Sequence, residues 1–519
     1  MCYLLRGSSK NTKSPYCKSE NMSLKQIITN IAGSIGIGMF IQLVSLLRTA
    51  QLANYFGTTN NMDAYNLANI ITVCIVNTIG ASVGVVLVPY ITNKKEYSLK
   101  TLNNYITFLI TLSFLLMIVI YTGTYIYLYK PGVSRSVFDY LTFKLAIILG
   151  IGQFIRLFSS ILTAEYQVEN KYIVTKKIAL IPSVVPFVIF ILFPTKNIEI
   201  VAVTFSTSYF FEWVFLKLFL GDKYQYKLEI NLKDKKLKKL ILLTYPILFN
   251  SFVYQLVIII PNTILHSFGE GYVSSMTYSN QIISTIQTLI IINSVNILYP
   301  IITSSIYKNK NSGIKKSIDY ITSINMIIIP IVFGVVSLGK EVIILLFQRG
   351  SFNSESTQLV YLFLILSSSQ LPLIVFREIL SKILFSLDKT TIIVKVSLLS
   401  IIMEIIFLLL FKDTIGVYII AISPLISQVL YISSLIIYLK KIERKSIFLK
   451  KFFVRHLVIV LNSFFMFLVL SFIKKNIHLF HIPIISLAIL PIIGILIYGT
   501  LMLIFQKDYC KKILKELLN

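Results

Sequence analysis

Charge is scarce in this 519-residue chain: Asp, Glu, Lys and Arg together make up 14% of it, against about 25% in typical soluble domains. With 56% hydrophobic residues and a mean hydropathy of +0.79, a soluble globular protein is excluded. The four cysteines give no disulfide framework: Cys74 falls in an apolar run, and Cys2, Cys17 and Cys510 in basic flanks. The four histidines, His266, His456, His478 and His481, form no metal-spaced set with cysteines or carboxylates, so no metal site is expected. No glycine-rich loop ending in Gly-Lys-Ser/Thr is present to grip a nucleotide phosphate, so the sequence gives no sign of an ATP-driven pump. No catalytic constellation appears either, so an enzyme is not expected. No cofactor is called for; the energy source left is an ion gradient, Na+ or H+, or the membrane potential.

What is there is apolar sequence in long stretches. Runs of about 20 residues recur along the chain, each long enough to cross ~30 Å of hydrocarbon. About fourteen can be read, at 26–47, 64–92, 102–129, 138–163, 173–194, 198–220, 240–266, 272–305, 315–347, 356–386, 391–411, 415–439, 453–473 and 480–505. They are continuous rather than alternating, so they are helices and not barrel strands. Pro182, Pro186, Pro246, Pro261, Pro330 and Pro372 mark kinks inside them.

The net charge of +27 raises the question of nucleic acid, but the distribution answers it. Most basic residues fall in alternate loops, while the loop from Gln51 to Asp63 holds none. This is the positive-inside bias of a multi-pass membrane protein, and it predicts that both termini are cytoplasmic. The clusters at Lys233–Lys239 and Lys440–Lys451 read as contacts to anionic membrane lipids. Met1–Lys18 is polar and basic without an apolar core, hence no signal peptide, and Met22 is an alternative start.

The chain also says nearly the same thing twice. Phe56-Gly57, Tyr65 and Pro89-Tyr90-Ile91-Thr92 return as Phe268-Gly269, Tyr278 and Pro300-Ile301-Ile302-Thr303, about 211 residues later. A weaker echo links Arg156–Ile173 to Arg377–Ile392. Six helices per copy make the repeat parallel, and the interface between such halves is where secondary transporters place their substrate. The fold class predicted is an all-α polytopic membrane protein of about fourteen helices: two parallel-repeat six-helix bundles plus two C-terminal helices. The divisions are a cytoplasmic extension (1–25), an N-lobe (26–220), a cytoplasmic linker (221–239), a C-lobe (240–440), and a last helix pair with a basic tail (441–519).

Charges inside the spans are the candidates for function, since each is costly in lipid without a cavity or a partner. Arg48 sits near the end of the first span and Asp63 opens the second. Arg48 suits a phosphate through paired hydrogen bonds, or a headgroup by snorkelling. Asp63 suits pairing with Arg48 when substrate is absent, or a helix N-cap. Lys144, Glu212, Arg377 and Glu378 are further candidates. Glu404, the most deeply placed carboxylate, makes with Asn250, Gln255 and Asn262 a candidate cation or coupling site; a carboxyl held neutral by burial is the alternative.

Leu46-Leu47-Arg48-Thr49-Ala50, Phe56-Gly57, Asp63-Ala64-Tyr65 and Val88-Pro89 resemble the start of the lipid II flippase family of MurJ/MviN type, within the MOP flippase/exporter superfamily. Leu346-Phe347-Gln348-Arg349-Gly350-Ser351-Phe352 is similar to that family's segment between its ninth and tenth helices, and Leu384-Phe385-Ser386 with Asp388-Lys389-Thr390 follows in order. The resemblance implies two bundles around a central cavity that opens to alternate sides and carries an undecaprenyl-diphosphate-linked glycan outward. It implies Arg48 as a substrate-binding arginine, Asp63 as the outer-gate acid, and a lipid-tail groove near the last two helices. The chain departs from the family at three basic positions, which here hold Gln42, Val76-Asn77 and Gln281, and at a glutamate-glycine signature reduced to Gly80-Ala81-Ser82. Each charged hydrogen bond so lost contributes roughly 1.5–3 kcal/mol to holding a diphosphate. Either Lys144 and Arg377 compensate, with Gln281 a neutral contact, or the substrate differs from lipid II. The functions in view are a peptidoglycan-precursor flippase, a capsule or exopolysaccharide repeat-unit flippase, a multidrug-type exporter, and a non-transporting scaffold among glycan-synthesis enzymes. The partners implied are a lipid-linked oligosaccharide and membrane lipids, without nucleic acid, and nothing requires more than a monomer.

Overall fold

The computed structural model describes residues 24–92, 97–128, 137–169, 171–220, 226–231, 233–443, 450–507 and 509. Nearly all of the expected extension 1–25, along with Cys2, Cys17 and Cys510, lies outside the described residues. Helix dominates, and no strand occurs among the described residues. The first six helices are α1 (Leu24–Phe56), α2 (Asn60–Thr92), α3 (Leu99–Leu128), α4 (Val137–Val168), α5 (Tyr172–Leu192) and α6 (Ile198–Leu220). The next six are α7 (Lys235–Ser267), α8 (Tyr272–Lys308), α9 (Lys310–Leu346), α10 (Ser354–Ser386), α11 (Thr390–Ile415) and α12 (Ile419–Glu443). The last two are α13 (Lys450–Asn476) and α14 (Pro483–Phe505).

Thirteen segments among the described residues are long and apolar enough to cross a membrane. The longest, Thr390–Lys441 at 52 residues, turns at Gly416, whose φ of +64° favours glycine. It thus divides into α11 and α12, of 26 and 25 residues, which pack on each other. The expected all-α multi-pass membrane fold is the one observed.

Local chemistry starts the helices. Asp234 caps α7 by accepting from the Lys236 amide at 2.9 Å, Asn309 caps α9 through the Ser312 amide at 3.0 Å, and Asn353 caps α10 through the Ser356 amide at 2.9 Å. Both α2 and α8, the two copies of the sequence repeat, contain a π-helical turn before their prolines, at Val83–Leu87 and Gln287–Ile292. The extra residue per turn rotates the faces of these helices beyond it.

Packing divides by chain order. Helices α1 to α6 pack mainly on one another, with α2, α4 and α6 at the centre; α8 to α12 form a second group around α9 and α10, and α13 and α14 lie against α9. The halves meet chiefly where α2 packs on α7, with further contacts of α1 and α2 with α8 and of α3 with α7. The segment before α7 does not hang free. Asn231, Tyr226 and Asp234 hydrogen-bond to Asn104, Thr107 and Thr101 of α3, and Tyr105 reaches Thr244 at 2.6 Å. For orientation, the end where α1 gives way to Gly57 is called the Gly57 face, and the end where α7 begins the lysine face.

Candidate transport path between the two halves

At the Gly57 face the halves are tied shut by short polar contacts. Asp63, fully buried at 0% exposure, accepts from the Gly271 and Ser274 amides at 2.7 Å each. These are orphan donors at the start of α8, so a carboxylate of one half caps a helix of the other. The reverse contact also exists: Glu270 accepts from the Asn60 amide at 2.8 Å, at the start of α2. The two acids therefore cap each other's helices across the repeat axis. Around them Tyr278 donates to the Gly57 carbonyl at 2.7 Å, the Thr58 and Ser356 hydroxyls lie 2.6 Å apart, and the Ser351 amide donates to the Asn54 carbonyl at 2.9 Å. The Leu346–Phe352 segment is what reaches across here. Phe347 and Phe352 pack on Tyr278 at 5.4 and 5.7 Å between ring centres, while Arg349 donates to the Leu346 carbonyl at 2.7 Å and so caps α9.

Glycine allows this approach. Gly57 and Gly350 sit at φ of +57° and +58°; a side chain on Gly57 would strike the Ser351 carbonyl, and one on Gly350 the Asn54 carbonyl.

Deeper along the α1/α8 seam the contacts become amide to hydroxyl. Gln42 donates to Ser284 and Thr285 at 3.3 and 3.2 Å, and Gln281 lies 3.5 Å from Ser45. Ser45 also receives Arg48 at 3.4 Å. Along the α2/α7 seam Asn77 donates to Gln255 at 3.4 Å. Gln42, Asn77 and Gln281 are three of the positions where the resembled family carries positive charge. In this chain each makes a neutral hydrogen bond from one half to the other.

Below that, toward the lysine face, α2, α4 and α7 enclose a cavity of about 540 Å³ lined by Asn77, Ser160, Asn250, Ser251, Tyr254 and Gln255 among others. Its lining holds amides and hydroxyls and no charge. A second cavity, of about 740 Å³, opens among α9, α13 and α14 and is almost wholly apolar, with Pro330, Leu338, Met466, Leu470 and Tyr498 in its walls.

The residues singled out in the sequence do not form one site. Arg48 does not pair with Asp63; its guanidinium donates to the Pro182 carbonyl at 3.1 Å and lies over the Phe205 ring at 4.6 Å. The pairing expected without substrate is corrected because α8's amides offer Asp63 two matched donors. Lys144 is 42% exposed and bonded to Glu199 at 2.7 Å, an α4–α6 pair away from the cavity. Arg377 contacts Glu378 at 3.1 Å within the second half, so neither Lys144 nor Arg377 replaces the missing cavity charge. Asn250 and Gln255 line the cavity, but Glu404 is buried on α11, where Ser427 and Arg377 bear on it. Asn262 donates to the Ile258 carbonyl of its own helix at 2.8 Å. The proposed cation set is thus divided between two places. No cluster of three metal-ligating side chains occurs among the described residues. Glu270 was missed, although an acid between two glycines before the second-copy helix was a readable counterpart to Asp63.

A membrane-spanning helical protein with repeated halves, polar seams between them and a cavity on one side has the architecture of a transporter. The family model described as Lipid II flippase MurJ matches residues 52–507, and the chain belongs to that family of lipid-linked precursor flippases. Among solved structures it is similar to one described as "Lipid II flippase MurJ, inward closed conformation", at 20% identity and a TM-score of 0.75, covering 92% of this chain and 99% of that one. It is also similar to an inward-facing multidrug resistance MATE family transporter of the MOP superfamily, at 15% identity and a TM-score of 0.60, with 80% and 98% covered. An outward-facing MATE structure aligns at 17% identity and a TM-score of 0.53, with 82% and 97% covered. Comparison with curated proteins gave no match.

Proposed function

We propose that this flippase moves an undecaprenyl-diphosphate-linked glycan from the inner to the outer leaflet of the bacterial plasma membrane by alternating access. The observation that carries the reading is the contrast between the two ends. The Gly57 face is closed by buried hydrogen bonds between the halves, while a polar cavity lies toward the lysine face. With the lysine face cytoplasmic, as the positive-inside bias supports, this is the state that receives substrate. The apolar groove of α9, α13 and α14 suits the polyprenyl tail. The 26–220 and 240–440 segments act as the two moving lobes, and the protein works as a monomer beside glycan-synthesis enzymes.

The neutral Gln42, Asn77 and Gln281 favour a second reading of the cargo: a capsule or exopolysaccharide repeat unit in place of lipid II. A cavity of amides and hydroxyls recognises sugar hydroxyls as well as charge. Coupling to Na+, H+ or voltage is assigned to Glu404, the buried carboxylate of the second half.

Vesicles containing the purified protein test these statements together. Lipid II or another undecaprenyl-diphosphate sugar is expected to reach the far leaflet faster than in empty vesicles, and Arg48→Ala to slow it severalfold. If no such lipid crosses faster than in empty vesicles, the reading fails. Transport in Glu404→Gln that keeps the wild-type dependence on Na+, pH and voltage would remove Glu404 from the coupling role.

A further inference from the structure

The neutral cavity takes one wall from each half. On α2 the wall includes Asn77, Gly80 and Ala81, and on α7 Asn250, Tyr254 and Gln255. Residues one, three and four apart share a side of a helix, so each half turns a single stripe to the cavity. The α2 stripe is small beyond Asn77, and even a side chain on Gly80 would meet only Ser160 and Val76, both at 3.8 Å. A hydrogen bond joins the stripes: the Asn77 Nδ2 donates to the Gln255 Oε1 at 3.4 Å. One turn along α7, the Asn250 side-chain oxygen is buried and accepts no hydrogen bond among the described residues.

Asn77 and Gln255 thus have two roles at one place. They line the cavity, and they close the seam where the halves pack most extensively. At 3.4 Å the two carboxamides leave no room for a third group between them. Anything that bridges them must take the place of the bond they make with each other. Once the halves part at the Gly57 face, the carboxamides stand away from each other and a bridging group displaces nothing.

We infer that Asn77 and Gln255 are the cargo-sensing pair of the transport cycle: a sugar hydroxyl of the lipid-linked cargo inserts between their carboxamides in place of the bond that joins the halves. This rests on the flippase reading above and adds how the cargo drives the change of state. A hydroxyl donates one hydrogen bond and accepts others, so it satisfies the Asn77 donor and the Gln255 acceptor together. A phosphate oxygen only accepts, and would leave the Gln255 oxygen without a donor. The pair therefore responds to the sugar and not to the diphosphate. In the state closed at the Gly57 face, insertion costs the Asn77–Gln255 bond; in the open state it costs no such bond. The sugar binds the open state better by about the worth of that bond, and a ligand shifts an equilibrium by its differential affinity. Asn250 makes no bond between the halves that binding would displace, so it adds affinity for cargo without adding to the shift.

The test reads opening at the Gly57 face as the rate of maleimide labelling of Ser275→Cys, a fully buried position on α8. The full-length protein is used, in vesicles and in a cysteine-free background. The probes, each at saturation, are undecaprenyl diphosphate and undecaprenyl-diphosphate N-acetylglucosamine, which differ by one sugar. With the pair intact, the sugar-bearing lipid is expected to raise labelling about threefold, the worth of one long neutral hydrogen bond, and the sugar-free lipid to leave it unchanged. Asn77→Ala and Gln255→Ala are each expected to raise labelling about threefold without lipid, to abolish the further rise with the sugar-bearing lipid, and to add nothing when combined. Asn250→Ala is expected to need about fivefold more of the sugar-bearing lipid and to keep the threefold rise at saturation. The same change from variants on opposite halves, without additivity, is the mark of a shared bond, which a folding defect in either helix would not reproduce. An equal rise with the two lipids, a rise with the sugar-bearing lipid that survives in Asn77→Ala and Gln255→Ala, or additive effects in the double variant overturns the inference. The two readings fail separately. Wild-type vesicles that move no undecaprenyl-diphosphate lipid sink the flippase proposal, whereas normal transport with labelling that ignores the sugar sinks only the sensing pair.

Discussion

Asp63 and Glu270 do the same job from opposite halves in different surroundings. Asp63 is buried and accepts two amides; Glu270 is exposed and accepts one. Removing the Asp63 carboxylate strands two buried N–H groups of α8, each costing about 1–3 kcal/mol. Removing Glu270 leaves an amide that water can reach, at little cost. Asp63→Ala is thus expected to shift the protein toward opening at the Gly57 face by at least about fivefold, and Glu270→Ala to shift it far less. Maleimide labelling of Ser275→Cys, a buried position beside Ser274, reads this from the Gly57 side. Equal labelling in wild type and Asp63→Ala would remove Asp63 as a latch. The sequence marked Asp63 as an acid needing a partner, but the partner is a pair of backbone amides 208 and 211 positions away. Every residue type carries an amide, so no composition or motif could have pointed to them. Arg48 shows the same limit, since its first contact is the Pro182 carbonyl.

At the scale of helices the sequence was far more legible, because length and apolar continuity are enforced by the bilayer itself. Even the turn between α11 and α12 was readable from the break between the apolar runs 391–411 and 415–439. What could not be read was how the polar stretch before α7 docks. Its Asn231, Tyr226 and Asp234 looked like a solvated linker, yet they bind α3. Asp234 is the pivot of that attachment. Burial pushes its carboxyl up, but the Thr101 hydroxyl and the Lys236 and Leu237 amides outweigh this and hold it below its ordinary value. A lowered folded-state pKa adds stability above the unfolded value of about 4, lost as pH falls through the lowered folded value. The attachment is therefore expected to be intact and pH-independent from pH 6 to 8, about two units clear of that window. Asp234→Ala should lower thermal stability by about 1 kcal/mol at neutral pH through the lost cap. The difference from wild type should shrink in acid below pH ~4. An unchanged melting temperature at pH 7 would show that the cap does not hold α7.

For the whole molecule, the repeat supplies matched seams, and the chain fills them unequally. At the Gly57 face the contacts are short, and those of Asp63 and Tyr278 are buried. Midway they are single amide–hydroxyl or amide–amide bonds of 3.2 to 3.5 Å, weaker because longer. A protein that must part its halves needs contacts that are jointly sufficient and singly expendable, since a ligand shifts such an equilibrium only by its differential affinity for the two states. Positive residues at positions 42, 77 and 281 would repel one another across an empty cavity; the neutral ones attract and favour the closed Gly57 face before substrate arrives. Holding that face shut should then stop transport without preventing loading. The Thr58 and Ser356 hydroxyls, 2.6 Å apart across the seam, offer the place. In a cysteine-free background, Thr58→Cys with Ser356→Cys is expected to form a disulfide under oxidation, abolish translocation in vesicles, and regain it on reduction. Binding of undecaprenyl diphosphate from the lysine side should persist throughout, because the polar cavity lies on the side that stays open. Translocation at the wild-type rate with the disulfide fully formed would mean that the Gly57 face does not part during transport, and that the lipid leaves by another route.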